Sequence, residues 1–165
     1  MQDPDGARTR RDLDRYDRQI LSALQRDAKL TNAALAQQIS LSESACLRRV
    51  RALEDCGLIE RYVAIVDQAA AGYPDDVFVQ VTLHSQQRED LREFEAAVAA
   101  VPEVLECYLM SGDSDYLLRV VVADARDYER IHNQHLTRLP GVDRVQSNFA
   151  LRRVVRRTEV PVRRL

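Results

Sequence analysis

The stretch from Leu30 to Tyr62, LTNAALAQQISLSESACLRRVRALEDCGLIERY, constrains this fold more than any other part of the chain. It holds two short helical patterns, a turn at Ser40-Leu41 between them, and a strand-like run behind. Thr31 predicts the first cap, because its hydroxyl can accept an orphan backbone N–H. Ala34, Leu35 and Ile39 give that helix an apolar face. Ser42 predicts the second cap, with Glu43 in the first turn, where the helix dipole favours a carboxylate. Leu47, Val50 and Leu53, with Cys46 beside them, read as the buried stripe. Gly57 falls where a helix ends in a left-handed residue. Ser44, Arg48, Arg49 and Arg51 then face outward. A helical pair that shows serine and arginine from its second helix fits a DNA-reading helix-turn-helix. The same spacing equally fits a helical hairpin with a solvated basic face.

Ahead of this stretch, residues 1–12 read as a disordered arm. A helix is predicted from about Asp14 to Asp27 or Ala28, with Tyr16, Ile20, Leu21 and Leu24 as its stripe. Behind it, LIERYVAIVD reads as a wing or linking strand, and Gln68 to Asp76 as a boundary rich in Gly, Pro and Asp. The period then changes. Val77–His84, Val104–Met110 and Tyr116–Ala123 read as strands, with a final strand inside Val142–Val155. Arg88–Val101 and Ala125–Leu139 read as amphipathic helices. The first carries Leu91, Phe94, Ala97, Val98 and Val101 inward; the second carries Tyr128, Ile131, His135 and Leu139. The order βαββαβ predicts a ferredoxin-like α+β unit, with both helices on one face of an antiparallel sheet. In a lone copy the other face would expose Val79, Val81 and Leu83 or their alternates, and much of Leu117–Val122. That argues for self-association.

Composition narrows the function classes. The net charge is −2, so no uniformly basic coat is present. Residues 1–66 hold eleven Lys/Arg against ten Asp/Glu, so DNA binding would rest on local arginine placement and multivalency rather than bulk charge. No apolar run is long enough for a membrane span, and no secretory signal is visible. Three widely spaced cysteines, Cys46, Cys56 and Cys107, argue against a disulfide scaffold and for a reducing cytosol. No Cys/His spacing suits zinc; His132 and His135 read as surface or interface histidines. No activated nucleophile, metal cluster or phosphate loop supports an enzyme, and no cofactor is implied. The remaining rival is an interaction module whose arginine face binds an acidic protein.

The loop Ser111-Gly112-Asp113-Ser114-Asp115 sits between two apolar strands. It admits three readings: a hairpin turn using Gly and Asp for positive φ, a metal loop with Asp113 and Asp115 as ligands, or a small-ligand site. In the last, backbone N–H groups around Gly112 would take a carboxylate and an Asp an amine.

Two stretches, SESACLRRVRALEDCGLIERYVAIVD and PEVLECYLMSGDSDYLLRVVV, resemble the Lrp/AsnC (leucine-responsive or feast/famine) transcriptional regulators. LPGVDRVQSNFALRRV extends the resemblance, which runs from about Leu13 to Val155. It implies a winged helix-turn-helix over 13–60, a linking strand and hinge over 61–76, an effector-binding and oligomerisation domain over 77–155, and a tail over 156–165. It implies double-stranded DNA as partner, an amino acid or related metabolite as effector, and dimers through the C-terminal sheets that assemble into tetramers or octamers. Thr31–Ile39 matches the positioning helix and Ser42–Asp55 the recognition helix. Ser42, Ser44, Arg48, Arg49 and Arg51 are the expected DNA-facing residues, with Thr31 and Asn32 at phosphate. Ser111, Gly112, Asp113 and Asp115, with Ser147 on the last strand, match an effector site at a subunit interface. Val145 stands where some relatives carry a second hydroxyl. The alternative is a DNA-binding regulator or architectural protein with no small-molecule effector.

Overall fold

The computed structural model describes residues 12–162. The arm expected over 1–12 lies outside them except for Asp12. The chain divides into two compact units, one running to Ile65 and taking in the segment from Val155, the other spanning Val66–Val154.

The first unit is built on three helices, α1 (Arg15–Arg26), α2 (Asn32–Gln38) and α3 (Glu43–Asp55). Each begins at a side-chain cap. Asp14 accepts from the backbone N–H groups of Tyr16 and Asp17 at 2.8 and 3.0 Å. Thr31 caps Ala34 and Ser42 caps Ala45, at 3.2 and 3.3 Å. These caps satisfy donors that no helical carbonyl can reach. The α2 and α3 exits share one geometry. Behind α3, Gly57 has φ +72°, its N–H reaches the Glu54 carbonyl at 2.9 Å, and Leu58 N–H reaches Leu53 at 3.1 Å. Behind α2, Ser40 has φ +57°, its N–H reaches Gln37 at 3.2 Å, and Leu41 N–H reaches Ala36 at 2.9 Å. Both are Schellman closures, and the second makes the turn between the paired helices.

Ile20, Leu21, Ala23, Leu35, Ala36, Ile39, Cys46 and Leu53 form the core of this unit. Four positions expected to face inward are corrected. Ala34 is exposed and Ala36 takes its place; Leu47 is exposed rather than buried; Val50 and Tyr16 are only half-buried. The C-terminal tail completes the unit. Val162 packs against the helical core, and the Gln25 side-chain amide pairs both ways with the Val160 backbone, at 2.7 and 3.2 Å. Ser22 donates to Glu159 at 2.5 Å. The wing or linking strand expected after Gly57 is paired in no ladder among the described residues; Tyr62, Val63, Ile65 and Val66 are exposed along it.

The second unit runs β1 (Asp75–Leu83), α4 (Arg88–Val98), β2 (Val104–Leu109), β3 (Tyr116–Val122), α5 (Ala125–Gln134) and β4 (Val142–Phe149). Its sheet is antiparallel throughout, in the order β2-β3-β1-β4. This is the βαββαβ arrangement. Val77, Val79, Val81 and Leu83 alternate onto the face covered by Phe94, Val98, Val101, Ile131, Leu136 and Leu139, joined by Tyr116, Leu118, Val120 and Val122. The helix expected over Ala125–Leu139 breaks at His135 and continues as a 3-10 turn, Leu136–Arg138. Tightening to three residues per turn puts Leu136 and Leu139 on one side, both in the core.

The open face of the sheet is less apolar than the alternation suggested. Phe78 is exposed, but Arg119 beside it donates to Asp76 and Glu106, each at 2.9 Å. Arg153 also reaches Asp76, at 2.7 Å, and Gln68 accepts from both arginines. Burial works against the Asp76 charge, but Arg153 and Arg119 outweigh it and hold the carboxyl below its usual range.

Candidate functional site

On α3, Ser44, Leu47, Arg48 and Arg51 recur at helical spacing on the exposed side, with Glu43 beside them near the N-terminus. Arg48 and Arg51 have no hydrogen bond or ion pair among the described residues. Their guanidinium groups are therefore not held by the fold. Ser42 caps the helix and its hydroxyl also pairs with Ser44 Oγ at 3.3 Å.

Arg49 departs from the expected outward set. Its side chain is 22% exposed, and one nitrogen lies 2.8 Å from both Asp14 and Asp17. Its guanidinium also sits over the Tyr16 ring at 5.3 Å. Burial disfavours the charge on Arg49, but hydrogen bonds to Asp17 and Asp14 outweigh it and raise the pKa. Asp14 is held below the usual carboxylate range, first by the Asp17 N–H and also by Arg49, against the cost of burial. Arg49 thus fastens α3 to α1 through Nη1. A groove of about 250 Å³ runs beside it, lined by Asp14, Asp17, Arg48, Arg49 and Ala52. Asn32 also has a role inside the fold: its amide donates to the Glu43 carbonyl at 2.9 Å and ties the starts of α2 and α3 together. Thr31 remains exposed at its cap.

In the second unit, Ser111–Ser114 form the tip of the β2–β3 hairpin, closed by Met110 N–H on the Asp115 carbonyl at 2.8 Å. Asp115 is buried. Its carboxylate accepts from Leu83 N–H at 2.7 Å and from the Gln86 amide at 2.6 Å. Asp115 therefore bolts the hairpin to the end of β1, with both oxygens already engaged. Asp113 is exposed at the tip. Gly112 does not have the positive φ expected of it, and an added Cβ would meet nothing within 4 Å. Neither torsion nor crowding inside one copy requires glycine there.

Ser147 does not join the loop. It lies opposite Val79, on the β4 side of β1, while β3 and its hairpin lie on the other. Its hydroxyl pairs with Tyr128 on α5, whose ring packs edge-on to Phe149 at 5.2 Å. A hollow of about 340 Å³ lies between α4 and β2, lined by Glu95, Val98, Cys107, Leu109 and Tyr116 among others; neither the hairpin tip nor Ser147 borders it. Sequence reasoning missed Tyr128, Gln86, Asp14 and Asp17 as partners. Each acts across a fold contact that no local spacing announces.

A capped helical pair with exposed arginines on its second helix, followed by a ferredoxin-like unit, has the architecture of a helix-turn-helix regulator with a second domain. The comparisons carry the same two parts. Residues 13–60 match a winged helix-turn-helix DNA-binding model, and residues 76–160 match the Lrp/AsnC ligand binding domain. The Bkd operon transcriptional regulator of Pseudomonas aeruginosa is 41% identical over 92% of this chain and 99% of its own length. The leucine-responsive regulatory protein of Salmonella typhimurium is 39% identical over 87% of this chain and 88% of its own. A transcriptional regulator of Neisseria meningitidis, solved in complex with L-methionine, is 33% identical, with TM-score 0.86 over 90% of this chain and 96% of its own. The chain belongs to the Lrp/AsnC family of transcriptional regulators.

Proposed function

We propose that this regulator reads duplex DNA through α3 and answers to an amino acid or a close metabolite bound between copies of the chain. The observation that carries the DNA half is the exposed row Ser44, Arg48 and Arg51. Arginine in the major groove pairs bidentately with guanine O6 and N7, while Thr31 and Ser42 stand at helix N-termini suited to phosphate. Arg49 is set aside from the proposed base readers, because Asp14 and Asp17 hold its Nη1 against α1. The test compares adjacent residues on an operator selected from random duplexes: Arg48→Ala weakens specific binding by ~1–3 kcal/mol and leaves the thermal midpoint unchanged. Unaltered operator affinity would remove Arg48 from the readout.

The effector half rests on the hairpin tip. Gly112 is free of any demand from its own copy, and Asp113 stands exposed beside it. A site closed by a second copy would use the open backbone at Gly112, where a side chain would intrude. The exposed Phe78, Tyr108 and Met110 support self-association. The domain bounds we propose are 13–60 for the DNA-binding head, 61–76 for the link and 77–155 for the effector domain; the cytoplasm is the proposed compartment. A thermal-shift screen against the amino acids tests the effector. A ligand specific to the folded state adds ~2.7 kcal/mol at a hundredfold excess over its Kd, and Gly112→Thr abolishes that gain. A flat screen leaves the alternative of a regulator without a small-molecule effector.

A further inference from the structure

An exposed leucine on a surface helix is ordinary, but Leu47 is placed where it bears on recognition. It is 39% exposed, while Cys46 and Leu53 on the same helix are at 0%. It falls in the spacing 44, 47, 48, 51, between Ser44 and the two free arginines, on the N-terminal half of α3. The helix's apolar stripe closes without it: Cys46, Val50 and Leu53 pack against α1 and α2, and Leu47 belongs to neither the core nor the set packed on it. Among the base edges of the major groove, the one apolar group on offer is the C5-methyl of thymine. A leucine on the exposed side of the helix, beside arginines that fix the register, can meet that methyl without leaving any core contact.

We infer that Leu47 is a specificity-determining residue that reads a thymine methyl next to the positions read by Arg48 and Arg51. The inference rests on the reading of α3 as the groove-entering helix. It adds a base preference that hydrogen bonding alone does not supply. The contact is dry, so its contribution is insensitive to salt, unlike that of the phosphate contacts.

The test is a two-by-two cycle with the full-length protein and an operator selected from random duplexes. Thymines of the half-site are replaced singly by deoxyuridine, which deletes the methyl and keeps every hydrogen bond. Removing one buried methyl weakens wild-type binding about fourfold per half-site at one position. Leu47→Ala binds the thymine operator correspondingly more weakly and is indifferent to the same replacement. Leu47→Met, which keeps an apolar reach, retains most of the sensitivity. Because Leu47 is outside the core, its variants keep the wild-type thermal midpoint. Wild-type binding that ignores deoxyuridine at every position overturns the inference. So does a Leu47→Ala protein that remains as sensitive as wild type. Arg48→Ala separates the two levels. If it weakens binding while Leu47→Ala does not, Leu47 alone is excluded. If neither matters, or no duplex is enriched, the reading of α3 falls and this inference with it.

Discussion

Two neighbouring arginines show how context decides the role of a side chain. Arg48 and Arg49 have the same donors and the same charge, yet one turn angle separates them. Arg48 points away from the helical core. Arg49 points at α1, where Asp14 and Asp17 each hold it at 2.8 Å. Asp17 is nearly sealed from solvent, so removing Arg49 takes a close positive charge from a buried carboxylate. Arg49→Ala is expected to cost about 1–3 kcal/mol of stability in the first unit, well below the figure for a fully buried pair because Asp14 is largely exposed. Thermal or urea unfolding checks this against Arg48→Ala, which should unfold like wild type. An equal midpoint for both variants would assign Arg49 no fastening role.

The helical pair owes its geometry to two closures, and they are unequally made. Gly57 ends α3 with the residue best suited to positive φ. Ser40 ends α2 with a residue that is strained there, at φ +57°. The strain is accepted because Leu41, directly after it, turns back to donate its N–H to the Ala36 carbonyl and packs on the core. Ser40→Gly relieves the Cβ clash but adds freedom to the unfolded chain, so the net gain is about 0.5–1 kcal/mol. A higher urea midpoint with an unchanged slope is the expected result; a lower midpoint would mean the serine hydroxyl contributes more than its backbone costs. DNA affinity should not change, since α3 keeps its cap and its core contacts.

Across the whole molecule, the open sheet face joins distant parts of the second unit through charge. Asp76, at the start of β1, holds Arg119 of β3 and Arg153 beyond β4. Glu106 on β2 is lowered by the Tyr108 hydroxyl and by Arg119, against burial. Both folded pKa values lie below the unfolded ones. Their stabilisation is therefore complete above the ordinary carboxylate range of about 4 and is lost as the pH falls through the lowered values. Thermal midpoints measured down the acid limb should drop in wild type and drop less in the double variant Asp76→Asn, Glu106→Gln. Equal slopes would rule these carboxylates out as the acid-labile groups. How much of the molecule was legible beforehand follows from the range of each interaction. Sequence alone determined the caps at Thr31 and Ser42, the Gly57 exit, the βαββαβ order and the hairpin at Ser111–Asp115. These depend on residues within a turn or an alternation of one another, where backbone sterics and the apolar period act. Tertiary structure alone decided that Arg49 serves α1, that Leu47 is exposed, that Asp115 is spent on Leu83 and Gln86, and that Ser147 faces Tyr128. It also placed Val162 on the helical core. Those facts depend on pairs that lie many residues apart, and helix rotation and strand register select such pairs only once the elements pack.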